Sequence, residues 1–264
     1  ADLAIRLLEK ISEKDLRDTP EEVLNDHLAS APEKPMMMDE NFFDMYILSP
    51  RVDNEILTPF RSALKNIPGE LSGIFAAGPA HIAAWIDTAI TVTETDNYYD
   101  TPVIPAGVLR LRIADRHSRD IFFVTLCRTL GHPARLAPGT GRPQYFDGTE
   151  WKDAWFTGDT KPSGENGYVT FYSGEKAPEP QYYVHFTLAT IENGKHKTLD
   201  YGYDVKLNNL PEKLPLTPGK YMLTSGTRDE NGNVLASLTF FDLLAGEDAR
   251  VEVKLRHAKD RDPK

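Results

Sequence analysis

Up to about residue 91, apolar side chains recur at three- and four-residue spacing, the period of helices with one buried face. Leu3, Ile5, Leu7, Leu8 and Ile11 open the chain as a first short helix. A second is expected after Thr19, read as its N-cap, with Pro20 in the first helical position and Glu21 and Glu22 in the first turn. Residues 30–38 hold two prolines and Met36, Met37 and Met38, and read as a linker. An apolar stripe of Phe42, Phe43, Tyr46, Ile47 and Leu48 follows. The spacing then predicts one helix from Asn54 to Ile67, with Ile56, Leu57, Phe60 and Leu64 inward, and another from Pro79 to Thr91.

Pro102 and Pro105 predict an extended loop from Thr101 to Val108. That loop leads into Asp115-Arg116-His117-Ser118, a helix start. The helix running from there to Gly131 carries Ile121, Phe122, Phe123, Val124, Leu126, Cys127 and Leu130, apolar on nearly every side, and is expected at the centre of a domain. Gly131 and His132-Pro133 end it. After Gly158 the period becomes two. Val184, Phe186 and Leu188 form one alternating face, Val234, Ala236, Leu238 and Phe240 a second, and Val251, Val253 and Leu255 a third. Asn193-Gly194 and Asn231-Gly232 mark tight hairpins, so an antiparallel β-sandwich is predicted. The expected division is an N-terminal helical segment 1–35, an α/β domain 36–160, a β-sandwich 161–258 and a frayed tail 259–264.

Composition narrows what such a chain does. Its 264 residues suit two domains. A formal net charge of -10 argues against a nucleic-acid partner and against a polybasic membrane anchor. No run reaches the roughly 18 apolar residues of a membrane-spanning helix. Cys127 stands alone, so neither an intrachain disulfide nor a cysteine zinc site is expected. The 7 histidines show no metal-protease spacing, and neither metal nor cofactor is expected. Residue 1 opens straight into a helical pattern with no signal-like segment, which reads as a mature form or a piece of a longer protein.

Arg128-Thr129-Leu130-Gly131-His132-Pro133-Ala134-Arg135 resembles the R-x-L-G-I-P-A-R run that follows the central helix of transglutaminase-like domains. Residues 118–127 are similar to the body of that helix, and Gln144 to Phe156, with Trp151 and Trp155, to the strand, turn and tryptophan-bearing strand beyond it. The resemblance covers residues 80 to 157. It implies an α+β protein: a transglutaminase-like (papain-related) domain followed by the sandwich. Residues 221–236 resemble the sandwich that accompanies such domains in some exported bacterial proteins, which implies a periplasmic, cell-surface or secreted location.

Active members of that family use a Cys-His-Asp triad, with the thiol in the positive end of the helix dipole. Counting back from Gly131 to the cysteine position lands on Arg116, with His117 and Ser118 next to it. No histidine lies between His132 and His185, and Gln144 or a neighbour stands where the base is expected. The third position falls on Asp153 or, counting from Trp151, nearer Trp155. Cys127 lies near the wrong end of the helix and reads as a buried small hydrophobe.

The chain is therefore read as a catalytically inactive module that binds a peptide, glycan or protein partner. Arg116, Gln144, Tyr145, Trp151, Asp153 and Trp155 are its candidate binding residues, and Arg116 is expected to pair with a ligand carboxylate or with Asp153. The alternative is an amide hydrolase or acyl transferase with a non-standard nucleophile, Ser118 being the one candidate. The plainer reading of Ser118 is a helix cap or first-turn hydroxyl. Arg119 and Arg135 read as structural ion-pair formers. Gly139-Thr140-Gly141 reads as a turn, and the tyrosines of the β half as filling for its faces and corners.

Overall fold

The computed structural model describes residues 2–53, 55–66, 69–95, 97, 101–159, 165–174, 179–192, 194–202, 205–228 and 231–255. The predicted ends of one helix, Asn54 and Ile67, together with Asn193, Tyr203 and the tail, lie outside them. The protein is mixed α+β, and its contacts divide it into two units, Ala1–Ala137 with Arg142–Asp159, and Pro138–Gly141 with Thr160–Lys264.

The first unit opens with three helices where two are predicted: α1 (Asp2–Glu9), α2 (Glu13–Asp18) and α3 (Glu21–Ala29). Pro20, not Thr19, is the N-cap residue of α3, since its extended backbone precedes the first helical residue. The stripe beginning at Phe42 becomes α4 (Glu40–Phe43) and a single π-helical turn, Asp44–Leu48. Phe43, Ile47 and Leu48 are buried there with Leu7, Ile11, Val23 and Leu57.

The helix predicted from Asn54 shrinks to α5 (Arg61–Lys65), and Ile56, expected inward, is 74% exposed. Pro59 explains this, because a proline excludes the helical conformation from the residue before it. α6 (Gly69–Ala76) and α7 (Pro79–Ala89) follow, then β1 (Thr91–Val92). The proline segment is not wholly extended: Pro105 occupies the first turn of α8 (Pro105–Leu111), where its missing N–H costs nothing. β2 (Ile113–Ala114) pairs in parallel with β1 and delivers the chain to α9 (Arg116–Thr129).

α9 is the axis of the unit. From Ile121 through Thr129 every residue of α9 is buried, and Gly131 takes the left-handed conformation, φ 83°, that ends it. β3 (Ala134–Leu136), β4 (Pro143–Phe146) and β5 (Trp151–Asp153) form an antiparallel sheet. Ala134, Ala154 and Tyr145 share a core with Phe122, Phe123 and Leu126 of α9, so one face of this sheet looks inward. The opposite face carries Arg135, Gln144 and Asp153 in register.

The second unit contains β6 (Gly167–Tyr172), β7 (Phe186–Glu192), β8 (Lys195–Thr198), β9 (Leu214–Leu216), β10 (Gly219–Arg228), β11 (Val234–Leu243) and β12 (Asp248–Glu252). They form one sheet in the order β11-β10-β7-β8 and another in the order β12-β6-β9. Val169, Leu216 and Val251 of the second sheet share a core with Phe186, Leu188, Tyr221 and Leu223 of the first.

Three expectations are corrected here. β12 runs parallel to β6, so the second sheet is mixed rather than wholly antiparallel. Val184 is 48% exposed and precedes β7, the backbone having turned at Tyr183 with φ 61°. The face of β11 bearing Val234, Ala236, Leu238 and Phe240 points outward, because pairing with β10 sets Phe241 and Thr239 beside the buried Tyr221 and Leu223.

Candidate functional site

Asp115 is the N-cap of α9, its backbone extended and its Oδ1 accepting the Ser118 N–H at 2.7 Å. Oδ2 accepts the Ser118 hydroxyl at 2.7 Å and the Asn97 amide at 2.7 Å. The Ser118 oxygen in turn accepts the Val103 N–H at 2.8 Å, which ties the proline segment to the helix start. Burial raises the Asp115 carboxyl, but the hydrogen bonds from Ser118 and Asn97 outweigh it and hold it below its ordinary range. Ser118 is fully buried, donating once and accepting once. That is the first-turn hydroxyl of the plainer reading.

His117 does not face Ser118. Its Nε2 lies 3.0 Å from Asp53 Oδ2, and this hydrogen bond raises the imidazole above its usual value despite partial burial. Arg116 is 52% exposed and pairs with Glu94, 58% exposed, at 3.4 Å. The expected partner Asp153 is engaged elsewhere, so that expectation is corrected: Arg116 N–H and guanidinium both turn to Glu94. Cys127 is completely buried, and burial pushes its thiol well up, away from thiolate.

The outer face of β3-β4-β5 joins most of the other candidates. Gln144 and Asp153 are direct cross-strand partners, with Gln144 Nε2 donating to Asp153 Oδ1 at 2.8 Å. Arg135 Nε donates to Gln144 Oε1 at 2.9 Å, and its guanidinium lies 4.0 Å from the Trp151 ring centre. Arg142 donates to Asp153 Oδ2 at 2.9 Å and lies 4.3 Å from the Trp155 ring centre. A chain of contacts thus runs Trp151–Arg135–Gln144–Asp153–Arg142–Trp155, every member half-buried. Trp151 also packs among Phe42, Tyr46 and Phe146.

Tyr145 belongs to the opposite face, against Phe123, because adjacent residues of a strand point to opposite sides. Arg135 makes a hydrogen bond and a ring contact instead of the expected ion pair. Arg119 does form ion pairs, with Asp120 at 2.8 Å and Asp159 at 3.0 Å, and stacks on Phe156. Burial pushes Asp120 up to about 6, opposed by the Arg119 charge and reinforced by that of Asp159.

Arg142, Asp53 and Asp159 were not anticipated. For Arg142 a signal exists: it stands two residues before Gln144 and so shares that side chain's face. Among the described residues no cluster of His, Cys, Asp and Glu is arranged to hold a metal, and no helix is long and apolar enough to cross a membrane. In the second unit Gly139-Thr140-Gly141 is a turn packed on Tyr201: a Cβ on Gly139 would sit 2.4 Å from the Tyr201 hydroxyl. Tyr182 and Tyr221 are core residues, whereas Tyr172 and Tyr183 are about 40% exposed.

No protein-family model matches the chain, and no curated protein or solved structure matches it. What the fold and this geometry define is a mixed α+β protein with a buried Asp115–Ser118 pair at the start of its central helix and, on the outer face of one sheet, a half-buried, hydrogen-bonded Arg-Gln-Asp-Arg row flanked by two tryptophans.

Proposed function

We propose that the first unit is a transglutaminase-like module that no longer catalyses acyl transfer and instead binds a peptide, glycan or protein partner, as part of a larger exported protein. The observation that carries this reading is the pairing across β4 and β5. An active member needs a histidine on one strand oriented by an aspartate on the next, close to a thiol at the helix start. Here Gln144 stands opposite Asp153. Continuing the same register sets Arg142 against Trp155, the slot reached by counting from Trp151. Neither pair contains a histidine. The positions that a triad would use hold an amide and guanidinium donors, a carboxylate acceptor and aromatic planes. These are the groups that recognise amides, carboxylates and hydroxyls.

The hydrolase reading needs Ser118 beside a histidine, within about 3 Å. Ser118 is instead fully committed to Asp115 and Val103, which favours the binding reading. The test is incorporation of a primary amine into a glutamine-donor peptide, alongside hydrolysis of the same amide. The wild type is expected to match a Ser118→Ala and a Cys127→Ala variant at the uncatalysed background. Turnover by the wild type that either substitution abolishes would sink the proposal.

A further inference from the structure

Among the described residues, the second unit's two sheets have four edge strands, and three of them carry the features that keep sheet edges from pairing with other chains. β8 reads Lys195-His196-Lys197-Thr198, all exposed. β12 alternates Asp248, Arg250 and Glu252. β9 is three residues long with Pro215 at its centre. β11 is different. It is ten residues long, holds neither charge nor proline from Val234 to Phe241, and among the described residues pairs on one side only, with β10. Its outward face is apolar as well: Val234 is 58% exposed, Leu238 57% and Phe240 63%.

The hydrogen-bond alternation of an antiparallel ladder fixes which backbone groups of β11 are open. Gly226 of β10 gives its N–H to the His185 carbonyl, on the β7 side. Its partner on β11, Ala236, therefore directs its own N–H and C=O away from β10. With period two, Val234, Leu238 and Phe240 do the same. The open backbone and the exposed apolar side chains belong to the same four residues.

We infer that β11 is an interface at which a second copy of this chain adds its own β11, antiparallel, across a two-fold axis at Ser237. That register is self-complementary. Val234 faces Phe240 of the other copy and Ala236 faces Leu238, small against large in each pair, while Asp242 falls opposite Gly232 and meets no like charge. Shifting the axis to Leu238 would instead set Asp242 against Val234. About eight interstrand hydrogen bonds follow from the four open residues of each copy, and the two four-stranded sheets become continuous. A proline-bearing partner strand would forgo some of these hydrogen bonds, and a charged one would set its charges beside exposed apolar side chains. A second β11 is the uncharged strand of matching length and pattern that the chain itself supplies.

The test is the mass of the full chain in solution by light scattering and sedimentation, over about two decades of concentration up to about 100 μM. A dimer is expected, with the amides of Val234, Ala236, Leu238 and Phe240 more protected from hydrogen exchange as concentration rises. Leu238→Lys sets a charge on the exposed face, and Ala236→Pro removes an outward N–H. Each is expected to give a monomer with unchanged circular dichroism. If Ala236→Pro misfolds, Leu238→Lys decides, because that side chain lies outside the core. A wild type that stays monomeric throughout, or a dimer unaltered by Leu238→Lys, overturns the inference. So does a monomer that accepts only a strand from a different chain. None of these outcomes depends on whether the first unit has catalytic activity.

Discussion

The two units fill their interiors with different chemistry. Among the described residues the first buries Asp15, His27, Asp44, Glu55, Arg61, Asp115, Arg119 and Arg128, whereas the second buries one polar side chain, Ser225. Backbone accounting explains the contrast, since every buried carbonyl needs a donor. Sheets supply donors from their own ladders. Among the described residues, those from 49 to 60 lie in neither helix nor strand, so Ser49 and Arg51 take donors from outside the segment. Arg128 gives Nη1 to the Ser49 and Arg51 carbonyls and Nε to that of Ala134, while Arg61 gives Nη2 to those of Ile47 and Leu48. Burial lowers Arg61 to about 9 and Arg128 to about 10, with each still charged at neutral pH. Buried guanidinium groups here satisfy carbonyls of that segment, of the end of the π-helical turn and of β3.

The sharpest way to break that contrast is to remove one such donor from each unit. Arg128→Met keeps most of the volume but strands the Ser49 and Ala134 carbonyls and leaves that of Arg51 only the long contact with the Ser49 hydroxyl, and a cost of about 4 kcal/mol is expected. Ser225→Ala removes the hydroxyl that donates to the Lys254 carbonyl and should cost about 1 kcal/mol. Denaturant unfolding monitored by hydrogen exchange within each unit measures both. Equal costs would mean that the polar interior of the first unit is incidental.

A smaller effect separates the units by pH. His27 is fully buried against Phe60, and its ring nitrogens make no hydrogen bond of good geometry, only a weaker interaction with the Thr58 backbone. Burial, and then the Arg61 charge, push it down to about 4. A depressed pKa means that the unfolded chain takes the proton first. The stabilisation is therefore complete above the unfolded value of 6.5 and drains away as pH falls toward 4. The loss is about 3 kcal/mol over that window. Amides of the first unit should lose protection there and those of the second should not, and His27→Leu should flatten the slope. A slope that survives His27→Leu would assign the acid sensitivity to other groups.

Much of the β half is legible from alternation and from Asn-Gly pairs, yet alternation alone does not say which face is inside. β11 carries apolar residues on both faces, Leu235, Phe241 and Leu243 against Val234, Leu238 and Phe240, and the choice is made by Tyr221 and Leu223 on its neighbour. The central helix is readable because it is apolar all round, whereas α5 is shortened by one proline, Pro59. In the candidate site, Gln144 with Asp153 follows from two strands and a short turn. Ser118 with Val103, Asp115 with Asn97, and His117 with Asp53 join residues far apart in the chain, and no local spacing encodes them.

The smallest expected effect lies at the start of α9, where two arginines on one turn belong to opposite regimes. Arg119 is 4% exposed and holds two carboxylates. Arg116, at the first helical position, is half exposed and pairs with an exposed glutamate. Such a surface pair contributes about 0–1 kcal/mol. A cation at the positive end of the helix dipole costs about 0.3–1 kcal/mol. The two contributions nearly cancel, so Arg116→Ala should leave stability within about 0.5 kcal/mol of the wild type. Removing Arg119 leaves Asp120 and Asp159 side by side without their cation and should cost several times more. Chemical unfolding of both variants at neutral pH checks the difference. A loss above about 1 kcal/mol for Arg116→Ala would place that residue in the buried polar network after all. If stability instead holds as expected, Arg116→Ala can be used to probe binding at this end of the helix without disturbing the fold.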